Sequence, residues 1–427
     1  MAQQGSGAGG GPYRVMVVDD SAVVRGLTTR FIEEDPEMEV VASVGNGQRA
    51  LDNLERAQPE VVVLDIEMPV MDGLTALPKL LAQKPGLKVV MSSTLTKGNA
   101  DVTMRALRDG AAEYITKPSN KGLTGQSDFQ TELRTKVKAL GAAARRGAGG
   151  AAVGLRTPAS APGTATTSRA PSGGSSAASP SPTPTARSAS QTHASQTHAG
   201  QAHGAQTHAG QTHGGTMPRP PAGGGEITLR KMPTTNPEVL AIGSSTGGPQ
   251  ALFEVLGKLG AIKQPILVTQ HMPATFTALL ADHIARQSAL PCSEAKDGEK
   301  LANGHIYIAP GGRHLVVARD SGGVRLHLSD AEPENFCRPS TDPMLRSLVD
   351  AFGGRMLVAI LTGMGHDGLH GCERVVEAGG HVIAQDEASS VVWGMPGAVA
   401  KAGLCSAVLP LTEIAPQLRK LTMRSAA

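Results

Sequence analysis

Leu240 to Gln250 reads LAIGSSTGGPQ. The apolar run Val239 to Ile242 has the character of a buried strand. It stops abruptly at Gly243-Ser244-Ser245-Thr246-Gly247-Gly248, and an amphipathic helical pattern resumes at Ala251. A serine is thereby presented at a strand-to-helix turn. The spacing Gly243-x-Ser245-x-Gly247 matches a nucleophile elbow, in which small neighbours allow a sharp turn and leave the hydroxyl exposed at the carboxyl end of a strand. Gly-Ser runs at strand ends also form plain loops and phosphate cradles, so the rest of the chain has to choose between these readings.

Downstream, Pro265 to Thr269 reads as a strand ending at Gln270-His271-Met272-Pro273. After a middle region of hairpin-like apolar pairs, Met356 to Leu361 reads as another, ending in Thr362-Gly363-Met364-Gly365-His366-Asp367-Gly368. Strand ends of a parallel sheet share one edge, so Ser245, His271 and Asp367 are available as nucleophile, general base and orienting carboxylate. Their chain order differs from the Ser, Asp, His order of the α/β-hydrolases, which points to another topology. Taken singly, His271 also reads as a capping or core histidine and Asp367 as a turn residue. His283, His305, His314, His327, His366, His370 and His381 are further histidines of the same segment.

Upstream, five short apolar strands alternate with amphipathic segments: Arg14 to Val18, Glu39 to Val44, Val61 to Leu64, Lys88 to Met91 and Glu113 to Ile115. Five β/α units imply a parallel sheet covered on both faces, with function at the carboxyl ends of its strands. There the chain places Asp19-Asp20, Asp65, Ser92-Ser93 and Thr116-Lys117-Pro118. Three carboxylates at one edge repel unless a cation neutralises them, and hard oxygen ligands suit Mg²⁺. A helix cap, a turn and a satisfied loop hydroxyl would each explain one of these groups, but not their convergence at four strand ends.

The 427 residues predict two or three domains. Net charge is +3, yet residues 145–225 carry six arginines and no acid, so the remainder sums to −3 and offers no basic field for nucleic acid. Cys292, Cys337, Cys372 and Cys405 show no metal or redox spacing and read as core thiols of a reduced compartment. The first twelve residues, MAQQGSGAGGGP, lack signal-peptide character, and no apolar run reaches membrane-span length. The expectation is a cytoplasmic protein without direct membrane insertion.

From about Arg145 to Pro233 the chain is Ala, Gly, Ser, Thr, Pro and Gln. With almost no large apolar residues it is expected to be disordered. His193, His198, His203, His208 and His213 recur every five residues, a period matching neither helix nor strand; it reads as a low-complexity repeat or as adventitious metal binding. The domains expected are a tail at 1–12, a first domain at 13–144, a linker at 145–233 and a second domain at 234–427.

The first domain resembles a two-component receiver through VVDDSAVVR (Val17 to Arg25), LDIEMPVMDG (Leu64 to Gly73) and ITKP (Ile115 to Pro118). The resemblance implies a flavodoxin-like (βα)5 fold, a phosphoryl acceptor at Asp65 and Mg²⁺ on Asp19, Asp20 and Asp65. It also implies phosphoryl contacts from Ser93 and Lys117, a switch residue at Tyr114, and a chemotaxis histidine kinase as phosphodonor. The second domain is similar to the CheB methylesterases through AIGSSTGG (Ala241 to Gly248), TQHMP (Thr269 to Pro273), IAPGGRH (Ile308 to His314), CRPSTD (Cys337 to Asp342), LTGMGHDG (Leu361 to Gly368) and AQDEASSVVWGMP (Ala384 to Pro396). This second resemblance implies a doubly wound, mostly parallel α/β domain with Ser245, His271 and Asp367 catalytic, the Met364 amide in the oxyanion hole, and Thr246, Arg338 and Met395 around the cleft. It implies no cofactor for the ester chemistry. The substrates would be methylated chemoreceptor cytoplasmic domains, with deamidation of receptor glutamines as a second activity.

In that family the unphosphorylated receiver packs over the cleft. A linker of about 90 residues spans on the order of 50 Å and lowers the effective concentration of one domain at the other. Weaker autoinhibition follows unless the interface is itself strong. The competing expectations are a non-catalytic receiver-regulated adaptor and a receiver-driven transcription factor; the second lacks a helix-turn-helix signature and a basic surface.

Overall fold

The computed structural model describes residues 11–94, 96–117, 124–150, 227–232 and 236–423. Leu95, Pro118, the first ten residues and the stretch 151–226 with its histidine repeat lie outside the described residues, so the expectation of a disordered linker is not addressed there. Among the described residues no helix is long and apolar enough to cross a membrane.

The first domain alternates strands and helices throughout. Its strands are β1 (Tyr13–Val18), β2 (Met38–Val44), β3 (Val61–Asp65), β4 (Lys88–Ser93) and β5 (Glu113–Thr116). They are followed in turn by α1 (Ala22–Glu33), α2 (Gly47–Ala57), α3 (Gly73–Gln83), α4 (Lys97–Arg108) and α5 (Thr124–Gly150). The sheet is parallel, in the order β2-β1-β3-β4-β5. Val61 to Asp65 is buried at every position, which is why β3 reads as a continuous apolar run with no alternation.

The second domain opens with β6 (Val239–Ser244), α6 (Gly248–Leu259), β7 (Ile266–Gln270) and α7 (Ala274–Gln287). Then come β8 (Cys292–Glu294), β9 (Ile306–Ile308), and the antiparallel hairpin β10 (His314–Asp320) and β11 (Gly323–Ser329). The chain continues through α8 (Thr341–Phe352), β12 (Met356–Ile360), α9 (Leu369–Glu377) and β13 (His381–Gln385). It ends with α10 (Met395–Lys401), β14 (Cys405–Leu409) and α11 (Leu411–Thr422). The main sheet has seven strands, β14-β13-β12-β6-β7-β9-β8, and is parallel throughout. Strand order reverses between β6 and β12, so a crevice opens at their carboxyl ends.

Two expected boundaries move. Composition places the linker from Arg145, yet α5 runs to Gly150; Arg145 pairs with Glu60 and lies over the Tyr13 ring, 4.2 Å from its centroid. Short residues suffice on a helix whose packing is already set by Phe129, Leu133, Val137 and Leu140. At the other end Ile227 packs on the second domain's core and the Arg230 amide donates to Cys405 O at 2.8 Å, so residues 227–232 follow β14.

The two domains are docked. One apolar cluster runs from Leu64, Met104 and Leu107 of the first into Leu252, Leu256 and Phe276 of the second, with α4 lying against α6 and α7. Tyr114 stacks on Phe276 with centroids 4.5 Å apart, a geometry worth about 0.5–1.5 kcal/mol beyond area burial. Gln250 Nε2 donates to Ala111 O at 2.6 Å and Leu107 O at 3.2 Å, and His283 Nε2 meets Asp101 Oδ1 at 3.2 Å. Cutting the chain at a protease site inserted between residues 155 and 224 is expected to leave the halves co-eluting on size exclusion, and Tyr114→Ala with Gln250→Ala to separate them. Separate elution of the cut wild-type halves would contradict a docking held by these contacts.

Candidate active site

Register builds the site. Ser244 pairs with Gln270 across β6 and β7, so Ser245 and His271 are both the first residue beyond the ladder. On the other flank Gly243 pairs with Ile360 of β12, and the Ser245 amide donates to Thr362 O at 3.0 Å. The chain can turn because Gly247 takes φ +76° at the cap of α6. Gly363 has no Cβ for a different reason: an added Cβ would lie 2.9 Å from Ser245 Cβ and against Met395 Sδ. The Gln270 side chain ties the turn down, accepting from Ser244 Oγ at 2.7 Å and donating to Ser245 O at 2.9 Å.

Asp367, 2% exposed, is the most heavily bonded group of the crevice. Its Oδ1 accepts from Ser340 Oγ at 2.6 Å, Asn335 Nδ2 at 2.9 Å, and the amides of Gly368 and Asp342 at 3.0 and 3.2 Å. Its Oδ2 accepts from the Thr341 amide at 2.6 Å and faces His271 Nε2 at 2.7 Å. Burial alone would raise its pKa, but the imidazole and these donors hold it far below the carboxylate range. Asp342, which shares Asn335 and accepts from the Gly371 amide, is pushed up by burial and by the charge on Asp367. The stability contributed by Asp367 is therefore full above the ordinary carboxylate range and is lost as pH falls below it.

His271 is gripped from both sides, Nε2 by Asp367 and Nδ1 by Cys337 Sγ at 3.3 Å. Burial pulls its pKa down, but the bonds to Asp367 and Cys337 win and push it up to about 9. That ring contributes stability below pH 6.5 which is lost as pH rises through about 9. Ser245 makes no hydrogen bond to His271 among the described residues. The structure thus brings Ser245, His271 and Asp367 to one edge, with His271 and Asp367 bonded to each other.

Of the other expected cleft residues, Thr246 is buried and its carbonyl accepts from Thr362 Oγ1 at 2.9 Å, while Met395 is buried and its amide donates to Gly363 O at 2.9 Å. The Met364 amide has no acceptor among the described residues. Arg338 donates to the carbonyls of Asp330 and Ala331, both at 3.0 Å.

Reading all four cysteines as core thiols fails at Cys337. It lies on a two-residue turn closed by Glu334 and Cys337, whose amides each donate to the other's carbonyl, at 3.2 and 2.9 Å. Asn335 and Phe336 at its tip have φ 53° and 61°, and Phe336 is 92% exposed. Sequence also missed Asn335, because no spacing ties an Asn-Phe pair to an aspartate thirty-two residues on.

In the first domain ligand oxygens of Asp19, Asp20 and Asp65 lie within 4.8 Å of one another, a fit for a divalent cation. Lys117 Nζ is 2.8 Å from both Asp19 Oδ2 and Asp65 Oδ1, and these ion pairs raise its pKa against the opposing effect of burial. Asp65 is pushed up by burial, with the Asp19 charge adding and Lys117 opposing. The Ser93 hydroxyl is engaged by the carbonyls of Thr94 and Asn99, at 3.2 and 3.5 Å. Tyr114 is buried against Phe276, and Glu113 Oε2 beside it accepts from the Gly247 amide at 3.3 Å, two residues beyond Ser245.

Residues 240–418 match the family model described as CheB methylesterase, and residues 15–124 match the response regulator receiver domain. The chain is 54% identical to a protein-glutamate methylesterase/protein-glutamine glutaminase of Rhodospirillum centenum, over 99% of this chain and 97% of that one. It is 53% identical to the protein of the same description from Azospirillum brasilense, over 98% and 95%. The solved CheB methylesterase catalytic domain of Thermotoga maritima is 39% identical, with TM-score 0.43, over 44% of this chain and all of that one. Two matched domains in this order, with relatives that span nearly the whole chain, establish that the protein belongs to the CheB methylesterase family and carries a response regulator receiver domain ahead of its catalytic domain.

Proposed function

We propose that the chain is a phosphorylation-controlled protein-glutamate methylesterase and glutaminase that acts on chemoreceptor glutamates and glutamines. The observation that carries this reading is the Asp367–His271 pair at 2.7 Å on the same sheet edge as Ser245. The relatives' names supply the substrate class.

In the esterase step, Ser245 Oγ attacks the γ-carbonyl of a glutamyl methyl ester and its proton passes to His271. Because Nε2 is committed to Asp367, the accepting nitrogen is Nδ1. On this reading the Met364 amide donates to the developing oxyanion, a contribution of about 3–4 kcal/mol per donor in such sites. His271 returns the proton to the departing methoxide, so methanol leaves and an acyl-serine remains. Water then repeats the sequence, giving glutamate and free Ser245. With a glutamine substrate the acyl half is unchanged and ammonia is the leaving group.

In the receiver, Asp65 accepts the phosphoryl group from a kinase. Mg²⁺ held by Asp19, Asp20 and Asp65 would offset the charge on the transferring group. Lys117, now bridging Asp19 and Asp65, is placed to pair with a phosphoryl oxygen. Control is supported by β5: it carries Glu113 and Tyr114 onto the second domain and ends one residue before Lys117, so movement at the acidic cluster is felt at Gly247 and Phe276.

Methanol release from a methylated receptor cytoplasmic fragment, with and without Mg²⁺ and a small-molecule phosphodonor, tests both halves. Release is expected to rise with the phosphodonor, to vanish in Ser245→Ala, and in Asp65→Asn to lose only the rise. Full release by Ser245→Ala would overturn the mechanism, and an undiminished rise in Asp65→Asn would overturn the control.

A further inference from the structure

Ser245 and Cys337 require the same atom. His271 Nε2 lies 2.7 Å from Asp367 Oδ2, which leaves Nδ1 as the nitrogen for the serine, and Nδ1 carries Cys337 Sγ at 3.3 Å. The sulfur is held there by its turn. Glu334 pairs with Arg346 at 3.0 Å, Asn335 donates to both Asp342 and Asp367 at 2.9 Å, and two left-handed residues close the loop. The other three thiols have no such setting. Burial pushes Cys292 and Cys405 up to about 12, and Cys372, fully buried, well above its ordinary value. Cys337 alone of the four sits half-buried against an imidazole.

We propose that Cys337 is a positioning residue for the general base: in the resting enzyme it occupies the ring nitrogen that Ser245 needs, and so sets the pH at which the esterase becomes competent. This rests on the esterase reading for its catalytic consequence, though not for the contact itself. The titratable groups facing the ring are Asp367, from the loop after β12, and Cys337 from its turn. Asp342 stands behind Asp367, with Arg346 and His370 beyond it. A sulfur that accepts a hydrogen bond from Nδ1–H stabilises the charged ring, which cannot take a proton from serine. Replacing Cys337 removes one of the two groups that hold the proton and leaves Asp367 as the other. With the sulfur as acceptor its loss lets the ring give up that proton at lower pH, and competence extends toward acid.

The test is an NMR titration of the His271 ring in full-length wild type, Cys337→Val and Cys337→Ala, with the signal assigned through His271→Gln. The midpoint is expected to fall by about one pH unit in both variants, a tenfold change in the protonation equilibrium. The acid limb of kcat/KM should follow it. Superimposable titrations of wild type and Cys337→Val would overturn the proposal, as would an upward shift. Valine is close to cysteine in size and offers no hydrogen-bonding atom, so Cys337→Val decides if the alanine variant disturbs the turn. A shifted titration in a protein that shows no Ser245-dependent hydrolysis would sink the esterase reading alone, because the titration needs no substrate.

Discussion

A single buried carboxylate organises the catalytic crevice. Asp367 draws in side chains from His271, Asn335 and Ser340 and amides from the start of α8 and from Gly368. Removing a charge from water costs several kcal/mol, and only this density of donors makes it tolerable. The segments after β7 and β12, the turn before α8 and α8 itself converge on it. Its ionisation in turn orders the neighbours: Asp342 is pushed up, and the imidazolium form of His271 is favoured. A group that must remain charged in a dry pocket is well suited to orienting a base and stabilising the cation formed during acylation.

The same edge of the sheet meets the receiver. Glu113, fully buried and with its pKa raised chiefly by burial, spans from Lys136 at 3.6 Å to the Gly247 amide, and Tyr114 beside it covers Phe276. The acidic cluster of the receiver and the turn that presents Ser245 are thus linked by one short strand and a few packed side chains. Contacts of this kind hold the domains together whatever separates them in sequence, and the tether sets only how often released domains meet again.

Much of this was legible from the chain. Parallel strands buried on both faces give unbroken apolar runs, and polar groups at their ends can only collect at one edge; hence Asp19, Asp65 and Lys117 in one sheet and Ser245, His271 and Asp367 in the other. What could not be read depends on contacts between segments that carry no periodicity. Asn335 and Cys337 reach the site through a turn whose left-handed residues, Asn335 and Phe336, lack the glycine that signals such geometry. The segments around Arg145 and Ile227 read as linker because they hold few large side chains, yet Arg145 is tied to Glu60 and Tyr13 and Ile227 packs on the second domain's core. The interface was hidden because Tyr114, Gln250 and Phe276 are ordinary surface or core residues until the partner surface is known.

If the Asp367–His271 pair activates Ser245, the serine reacts on its own with a fluorophosphonate ester. Mass spectrometry of the labelled peptide tests this without a receptor substrate. One adduct is expected, on Ser245, forming at least about a hundredfold more slowly in Asp367→Asn, where the ring is misoriented. Labelling of Ser245 at the same rate in Asp367→Asn, or an adduct on another residue in the wild type, would contradict it.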